Sequence, residues 1–291
     1  MKANEKQMRC YHRDAASSQR MVEWAGLSVM MRSWRRHREL IRALTKRELL
    51  QRYRGSMLGL CWSVMNPLVL LLIYTVVFST IMKSQWNDTM TGFGIFAIMM
   101  YCGLIAYNFF CEMLSSSSRL ILDKPNYVRK VAFPLEILPV VMIANGLIHA
   151  MIATGILLAS ILIVVGHIPW TAVLLPLVWA PFIVNCLAIS FILSTVSTFI
   201  RDVQHVVGIL LVALFFLTPV FYSSDKVPPY LRWLLFVNPV AYVTENTRKV
   251  CVYGLVPDWK SWLLFMGVSV VLLYVAACWF QVIRKRFPDV I

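Results

Sequence analysis

Five long blocks free of Asp, Glu, Lys and Arg divide this chain, and polar, mostly basic segments separate them. Between Arg54 and Lys83 lie 28 such residues, between Asp88 and Glu112 lie 23, and between Glu136 and Arg201 lie 64. Asp202 and Asp225 bracket 22 more, and Lys260 and Arg284 bracket 23. An α-helix rises about 1.5 Å per residue, so each block can cross a hydrocarbon layer about 30 Å thick. Lipid offers a bare backbone no partner, so blocks of this length must be helical. The 64-residue block is too long for one crossing. Inside it, Gly166-His167-Ile168-Pro169-Trp170 places a proline, which lacks a donor, beside a polar His and a Trp suited to the water boundary. Divided there, the pattern predicts six spans, at about residues 58–82, 89–111, 137–165, 171–199, 204–222 and 261–283.

Two further segments have a pattern of their own. Residues 32–56 read as a helix lying at the membrane surface, with Leu40, Ile41 and Leu44 on one face and Leu49, Leu50 and Tyr53 on another. The stripe shifts near Lys46, which fits a kink or two short helices as well as one straight rod. Residues 1–31 show no such stripe and are expected to form a mobile cytoplasmic arm. Between Ser223 and Lys260, the 12 uncharged residues Trp233–Thr244 are too few to span. Pro228-Pro229 precedes them and Asn238-Pro239 interrupts them, which fits a re-entrant hairpin in the outer leaflet or an amphipathic loop outside it. The expected fold is an all-α polytopic membrane domain over residues 57–285, with a short cytoplasmic tail at 286–291.

Composition agrees. The 291 residues are 59% hydrophobic and 14% charged, against about 25% charged in a soluble domain. Residues 1–55 hold 14 Lys/Arg against 5 Asp/Glu, and positive residues near spans stay cytoplasmic. The N-terminus is therefore expected inside. Six spans return the C-terminus to the same side, as Arg284-Lys285-Arg286 also suggests. The loop with Arg119, Lys124, Arg129 and Lys130 falls there too, with the Arg201-Asp202 turn. The Ser223–Lys260 segment, with five positive and three negative residues, fits an outside position less well, but long segments weigh less. Basic residues beside a span point to anionic lipid rather than nucleic acid. Seven single cysteines without a CxxC pair indicate neither a disulfide framework nor a metal site. The first 30 residues are polar, so the spans are expected to target the chain in place of a signal peptide.

A search for catalytic constellations finds almost nothing. No GxxxxGK[ST] loop is present to cradle ATP phosphates, and HExxH, GxSxG and DxD are missing. His149 stands alone within a predicted span, as a satisfied or pore-facing histidine. The predicted spans carry no ionisable carboxylate, Lys or Arg, which argues against ion-coupled transport and against an intramembrane enzyme. What they carry is aromatics: Trp62, Tyr74 and Phe78 on the first span, and Tyr101, Tyr107, Phe109 and Phe110 on the second. Trp86, Trp170, Tyr222, Trp259 and Trp262 fall near the expected outer boundary. Such residues anchor spans at the interface. They could equally stack on sugar rings in a pore, at about 0.5–1.5 kcal/mol each.

Four stretches carry a resemblance. They are RYRGSMLGLCWSVMNP at 52–67, NYVRKVAFPLEILP at 126–139, IRDVQH through TPVFY at 200–222, and VPPYLRWLLFVNPVAYVTENTRKVCVYGLVP at 227–257. In this order the chain resembles, over about residues 32–289, the permease subunit of ABC exporters for O-antigen, capsule and teichoic-acid polymers, a branch of the type-2 ABC membrane family. The resemblance implies a homodimer with two copies of a separate ATPase. ATP and Mg would sit in that partner, with no cofactor on this chain. A lipid-linked, undecaprenyl-type polysaccharide would pass along a channel at the dimer axis. Arg47, Arg52, Tyr53 and Arg54 would meet lipid phosphate or the pyrophosphate of the substrate, or simply anchor the chain. Gly55 and Gly59 would allow a turn into the membrane and close helix contact, and Asn66-Pro67 would bend or unwind the first span. Trp62, Tyr74, Phe78, Tyr107 and Phe110 would line the channel. Arg119, Lys124, Arg129, Lys130, Arg201 and Asp202 would face the ATPase. Pro228, Tyr230, Trp233, Asn238 and Pro239 would belong to a hairpin of outer gate helices. Two rivals are a small-molecule exporter of the same class and a membrane-embedded glycan-modifying enzyme.

Overall fold

A computed structural model of the chain describes residues 26–81, 94–128 and 133–290, and among them every regular element is helical. The described residues begin with two helices, α1 (Gly26–Arg36) and α2 (Arg38–Arg52). Then come α3 (Trp62–Tyr74), α4 (Ile95–Ser117), the single turn α5 (Pro125–Val128), α6 (Ile137–Val165), α7 (Leu175–Phe199) and α8 (Val203–Leu217). The short pair α9 (Arg232–Val237) and α10 (Pro239–Arg248) leads to α11 (Trp259–Ile283).

Among the described residues, five stretches are long and apolar enough to cross a membrane: Gly59–Phe78, Ile95–Ser117, Ile137–Val165, Trp170–Phe199 and Trp259–Asp289. The stretch expected to span at 204–222 is helical only over Val203–Leu217. At about 1.5 Å per residue, 15 residues reach roughly 22 Å. Thr218, extended and followed by Pro219, stops the helix. The divide in the 64-residue block falls where the sequence places it. Gly166 adopts a left-handed φ of 86° after the last turn of α6, and a tight turn from Trp170 starts the next span. The second span runs further than expected, to Ser117, so Glu112 lies inside α4.

The surface segment also differs in detail. α1 is already helical at Gly26, the first described residue and ahead of the expected boundary at 32, and Met30 is fully buried; residues 1–25 lie outside the described residues. The break falls at His37 and not at Lys46, through which α2 runs unbroken. The His37 ring Nδ1 lies 2.9 Å from the Ser33 carbonyl, where it competes with the helix's own bond. The Leu40, Ile41 and Leu44 face packs on Ile137 and Val141 at the start of α6, so it covers protein. Helix α3 passes through Asn66-Pro67 without interruption; its winding loosens later, to a π-helix over Thr75–Ile81. Gly55 turns the chain with a φ of 86°, but open space surrounds Gly55 and Gly59, so neither makes the expected close contact.

Helix α4 is the buried hub, with the run Phe96–Ala106 almost wholly covered. It packs on α6, α7 and α10, while α11 lies along α7. The last turns of α7 are rich in hydroxyls that bond their own helix: Thr195 and Thr198 donate to the Phe191 and Ser194 carbonyls, each at 2.7 Å. Small hydroxyl residues thereby let helices approach without an orphaned group. No residue of α3 is buried, and in α8 only Val207 is. At one end of the bundle Glu136 gathers three elements. It accepts from Ser33 Oγ of α1 at 2.8 Å, pairs with Arg284 Nη1 after α11 at 2.7 Å, and its own carbonyl takes the Trp34 indole N–H at 3.1 Å.

Candidate functional site: two cavities sharing one ion pair

A cavity of about 730 Å³ opens between the end of α2, the last turns of α4, the middle of α6 and the start of α8. A second, of about 190 Å³, lies between α3, α4 and α6. Arg52, Glu112 and His149 line both, and so stand between them. Arg52 and Glu112 form an ion pair. His149 Nδ1 lies 3.8 Å from Glu112 Oε1 and 3.4 Å from Arg52 Nη1, and its Nε2 is 3.0 Å from the Tyr53 hydroxyl. The Tyr53 and His149 rings meet edge to face at 6.1 Å. Burial pushes the Tyr53 phenol above its ordinary range, against the pull of Arg52, so it stays neutral.

These contacts correct two expectations. His149 is not alone: it belongs to a four-residue cluster that joins α2 to α4 and α6. The spans are also not free of charge, because α4 runs on through Glu112, which is half-buried; outside the predicted spans, Arg248 of α10 is 1% exposed. The sequence hides the first because Glu112 ends its charge-free block. A single apolar block cannot show that residues 52 and 112 meet.

The larger cavity has a second ion pair, Lys124 with Glu48, and Asn145 Nδ2 donates to the other Glu48 oxygen at 3.1 Å. The smaller cavity is lined by Trp62, Asn66, Tyr101 and Asn108. Of the other aromatics, Tyr74 leads to Phe78, which stacks on Phe96 at 5.0 Å and lies 6.0 Å from Phe221. Tyr107 packs on Phe215 at 4.8 Å and donates to the Leu211 carbonyl at 2.8 Å, tying α4 to α8. Phe110 is placed elsewhere: it is 4% exposed and stacked on Phe182 in the bundle interior, with no open space to line in this chain.

The residues expected to meet phosphate are divided. Arg52 and Tyr53 face the cavities, Arg47 bonds the Tyr127 hydroxyl, and Arg54 is exposed on the turn before α3. Among those expected to face an ATPase, Arg119, Arg201 and Asp202 are exposed, and Lys124 is held by Glu48. Arg129 and Lys130 lie outside the described residues.

In the short pair, Asn238-Pro239 starts a helix as well as interrupting one. Asn238 Oδ1 accepts from the Val240 and Ala241 N–H groups, and Pro239 occupies the first turn, where its missing donor costs nothing. Asn238 Nδ2 donates to Thr218 Oγ1 at 2.8 Å. Tyr230 and Trp233 are exposed, with Pro228 before them. Arg248, which the sequence reading missed, donates to the Met99 carbonyl at 2.9 Å, the Val220 carbonyl at 3.0 Å and Glu245 Oε1 at 2.8 Å. Its only sequence signal is the Glu245/Arg248 spacing on one helical face directly after an uncharged stretch.

Residues 39–252 match the profile of the ABC-2 type transporter membrane family, and the chain belongs to it. Among curated relatives, it is 29% identical over 263 residues to an O-antigen export system permease protein RfbA of Myxococcus xanthus, covering 89% of this chain and 98% of that one. It is 25% identical over 256 residues to a protein of the same name from Klebsiella pneumoniae, covering 87% and 95%. It is also 24% identical over 231 residues to the polysialic acid transport protein KpsM of Escherichia coli, covering 76% and 84%.

Proposed function

We propose that this chain is the permease subunit of an ATP-driven exporter that moves lipid-linked polysaccharide, of O-antigen or capsule type, across the bacterial inner membrane. The observation that carries this reading is that relatives named for O-antigen export or polysialic acid transport match it over 76–89% of its length. The chain lacks a phosphate-cradling Gly-rich loop, so hydrolysis belongs to a separate ATPase, two copies of which serve a homodimer. ATP and Mg are bound there. The exposed Arg119, Arg201 and Asp202 are suited to that partner, and Arg129 and Lys130 belong to the same reading. Trp62, Tyr74, Phe78 and Tyr107 contribute to the polymer path, whose weak stacking contacts let a chain slide.

The path crosses the membrane six times, with both termini cytoplasmic. Support comes from Glu136, which bonds Ser33 and Arg284 at once: α1 and the end of α11 share one face, so the crossings between them are even in number. The fifth crossing in chain order, beyond the five long helices, is α8 together with Thr218–Tyr222. Its irregular end is buried, with Thr218 and Val220 fully covered and bonded by Asn238 and Arg248. Non-helical backbone at membrane depth needs such cover. Helices α9 and α10 form a re-entrant outer gate. A Cβ on Gly103 would lie 3.1 Å from Thr244 of α10, and Gly103 is eight residues into α4, about 12 Å from its start.

The test is reconstitution in vesicles. Export of lipid-linked glycan is expected only with the ATPase subunit and ATP present, and export by this chain alone would refute the reading.

A further inference from the structure

Two ionic rungs, one helical turn apart, fasten the end of α2 to the bundle. In the first, Glu48 pairs with Lys124, and Asn145 Nδ2 of α6 donates to the other Glu48 oxygen at 3.1 Å. In the second, Arg52 pairs with Glu112, and His149 Nδ1 of α6 lies 3.4 Å from Arg52 Nη1. The polarity reverses between them: α2 supplies the acid to one rung and the base to the other. Glu48 and Arg52 also stand four residues apart on α2 with the acid nearer the N-terminus, the favoured order for a pair within one helix. Each charge on α2 therefore has two partners in reach, one across the bundle and one along its own helix.

Exchange between these partners is cheap. The side chains are 51% and 28% exposed in the Arg52–Glu112 pair and 21% and 24% in the Lys124–Glu48 pair, and contacts so open to water are individually weak. Glu112 is not stranded when Arg52 leaves, because His149 Nδ1 lies 3.8 Å away. Arg119 and Asp123, the other charges lining the larger cavity, belong to neither rung. The exchange also has a handle. Lys124 lies in the segment assigned above to the ATPase, and Arg47 of α2 holds the Tyr127 hydroxyl of the same segment. An outside carboxylate that takes Lys124 leaves Glu48 without its cation, and Glu48 then draws Arg52 from Glu112. Only a contact that differs between two states can shift their balance, and Lys124 makes such a contact.

The effect falls on the wall between the cavities. Along α6, Asn145 lines the larger cavity alone, His149 lines both, and Ala153 lines the smaller alone. Arg52 and Glu112 meet at the level of His149, so their separation opens the wall there.

We propose that the end of α2 is a two-position ion-pair switch: docked on Lys124 and Glu112 it closes the wall, and with Glu48 and Arg52 paired to each other it joins the two cavities. The inference rests on the permease reading for the source of the carboxylate that takes Lys124.

A single cysteine beyond the wall reports on it. The permease–ATPase complex in inverted membrane vesicles carries Ala153→Cys, with Cys10 and Cys61 changed to serine and Cys111 and Cys278 to alanine. A bulky, impermeant maleimide is expected to label this position several-fold faster when a non-hydrolysable ATP analogue is bound. Lys124→Gln, which touches neither Arg52 nor Glu112, should give the fast rate without nucleotide. Exchanging the second rung, Arg52→Glu with Glu112→Arg, rebuilds that pair but places two carboxylates four residues apart on α2. This chain should stay slow with nucleotide, and should stay slow when Lys124→Gln is added. A pair that serves stability alone predicts the parent's behaviour for the exchanged chain and no effect of Lys124→Gln. A slow Lys124→Gln chain overturns the proposal whether or not the exchanged chain folds, and so does an exchanged chain that responds like its parent. Glycan transport by the same vesicles separates the two readings. The expected labelling pattern without transport refutes the export reading and leaves the switch standing, whereas transport with a slow Lys124→Gln chain does the reverse.

Discussion

Arg248 shows how one side chain can hold an irregular region together. Its guanidinium reaches the Met99 carbonyl in α4 and the Val220 carbonyl beyond α8, and Glu245 neutralises it. Arg248→Met would keep the volume of the stem but remove the guanidinium's bonds to both carbonyls, of which Met99 keeps its helix bond. Glu245 is 29% exposed and can turn to solvent, so the loss falls at the lower end of the range for breaking a buried pair, about 3 kcal/mol. Unfolding equilibria in detergent would measure it. Glycines give a second contrast at this scale. A Cβ on Gly146 would lie 3.0 Å from Phe109, a ring wedged against Trp179 and Phe182, so Gly146→Ala should cost about 1–3 kcal/mol. Gly55→Ala meets open space and should cost only the left-handed backbone term, about 1 kcal/mol. The same denaturation measurement distinguishes them.

At the scale of elements, the hydrophobic pattern was legible wherever one helix decided the outcome alone. The boundaries 137–165 and the turn at Gly166 follow from composition and turn chemistry. What sequence could not show is where neighbours decide. Helix α4 continues to Ser117 because Arg52 partners Glu112, which therefore need not end the helix in water. Helix α8 ends before Pro219, as the sequence signals, but that the end is buried and not in water depends on Asn238 and Arg248, which bond Thr218 and Val220. The site was half legible for the same reason: Arg52, Tyr53 and Trp62 stand out by type, but the polar lining from Glu48, Asn145 and His149 appears only once three helices meet. Asn238 both caps α10 and anchors Thr218, so Asn238→Ala should destabilise by about 1–2 kcal/mol. Asn238→Asp, which can still cap α10 but cannot donate to Thr218, should recover part of that, as thermal unfolding would show.

For the whole molecule, the parity of crossings is the property most open to a direct check. Five long helices alone would leave the two ends of the chain on opposite sides, whereas Glu136 holds α1 and Arg284 together. Reporter fusions at the N- and C-terminus are expected to show the same cytoplasmic side, and opposite sides would remove α8 from the list of crossings. The Glu136 arrangement also orders events in time. Arg284 lies 148 residues after Glu136, so while the chain is being made the carboxylate waits, with one oxygen unmatched, until the last helix has been inserted. Only a chain extended through Arg284 can close this clasp. A chain cut after Ile283 should therefore be cleaved by protease in α1 faster than one that carries Arg284. Until Arg284 arrives, the junction between α1 and the start of α6 has its hydrogen bonds from Ser33 and Trp34 but lacks its ionic half.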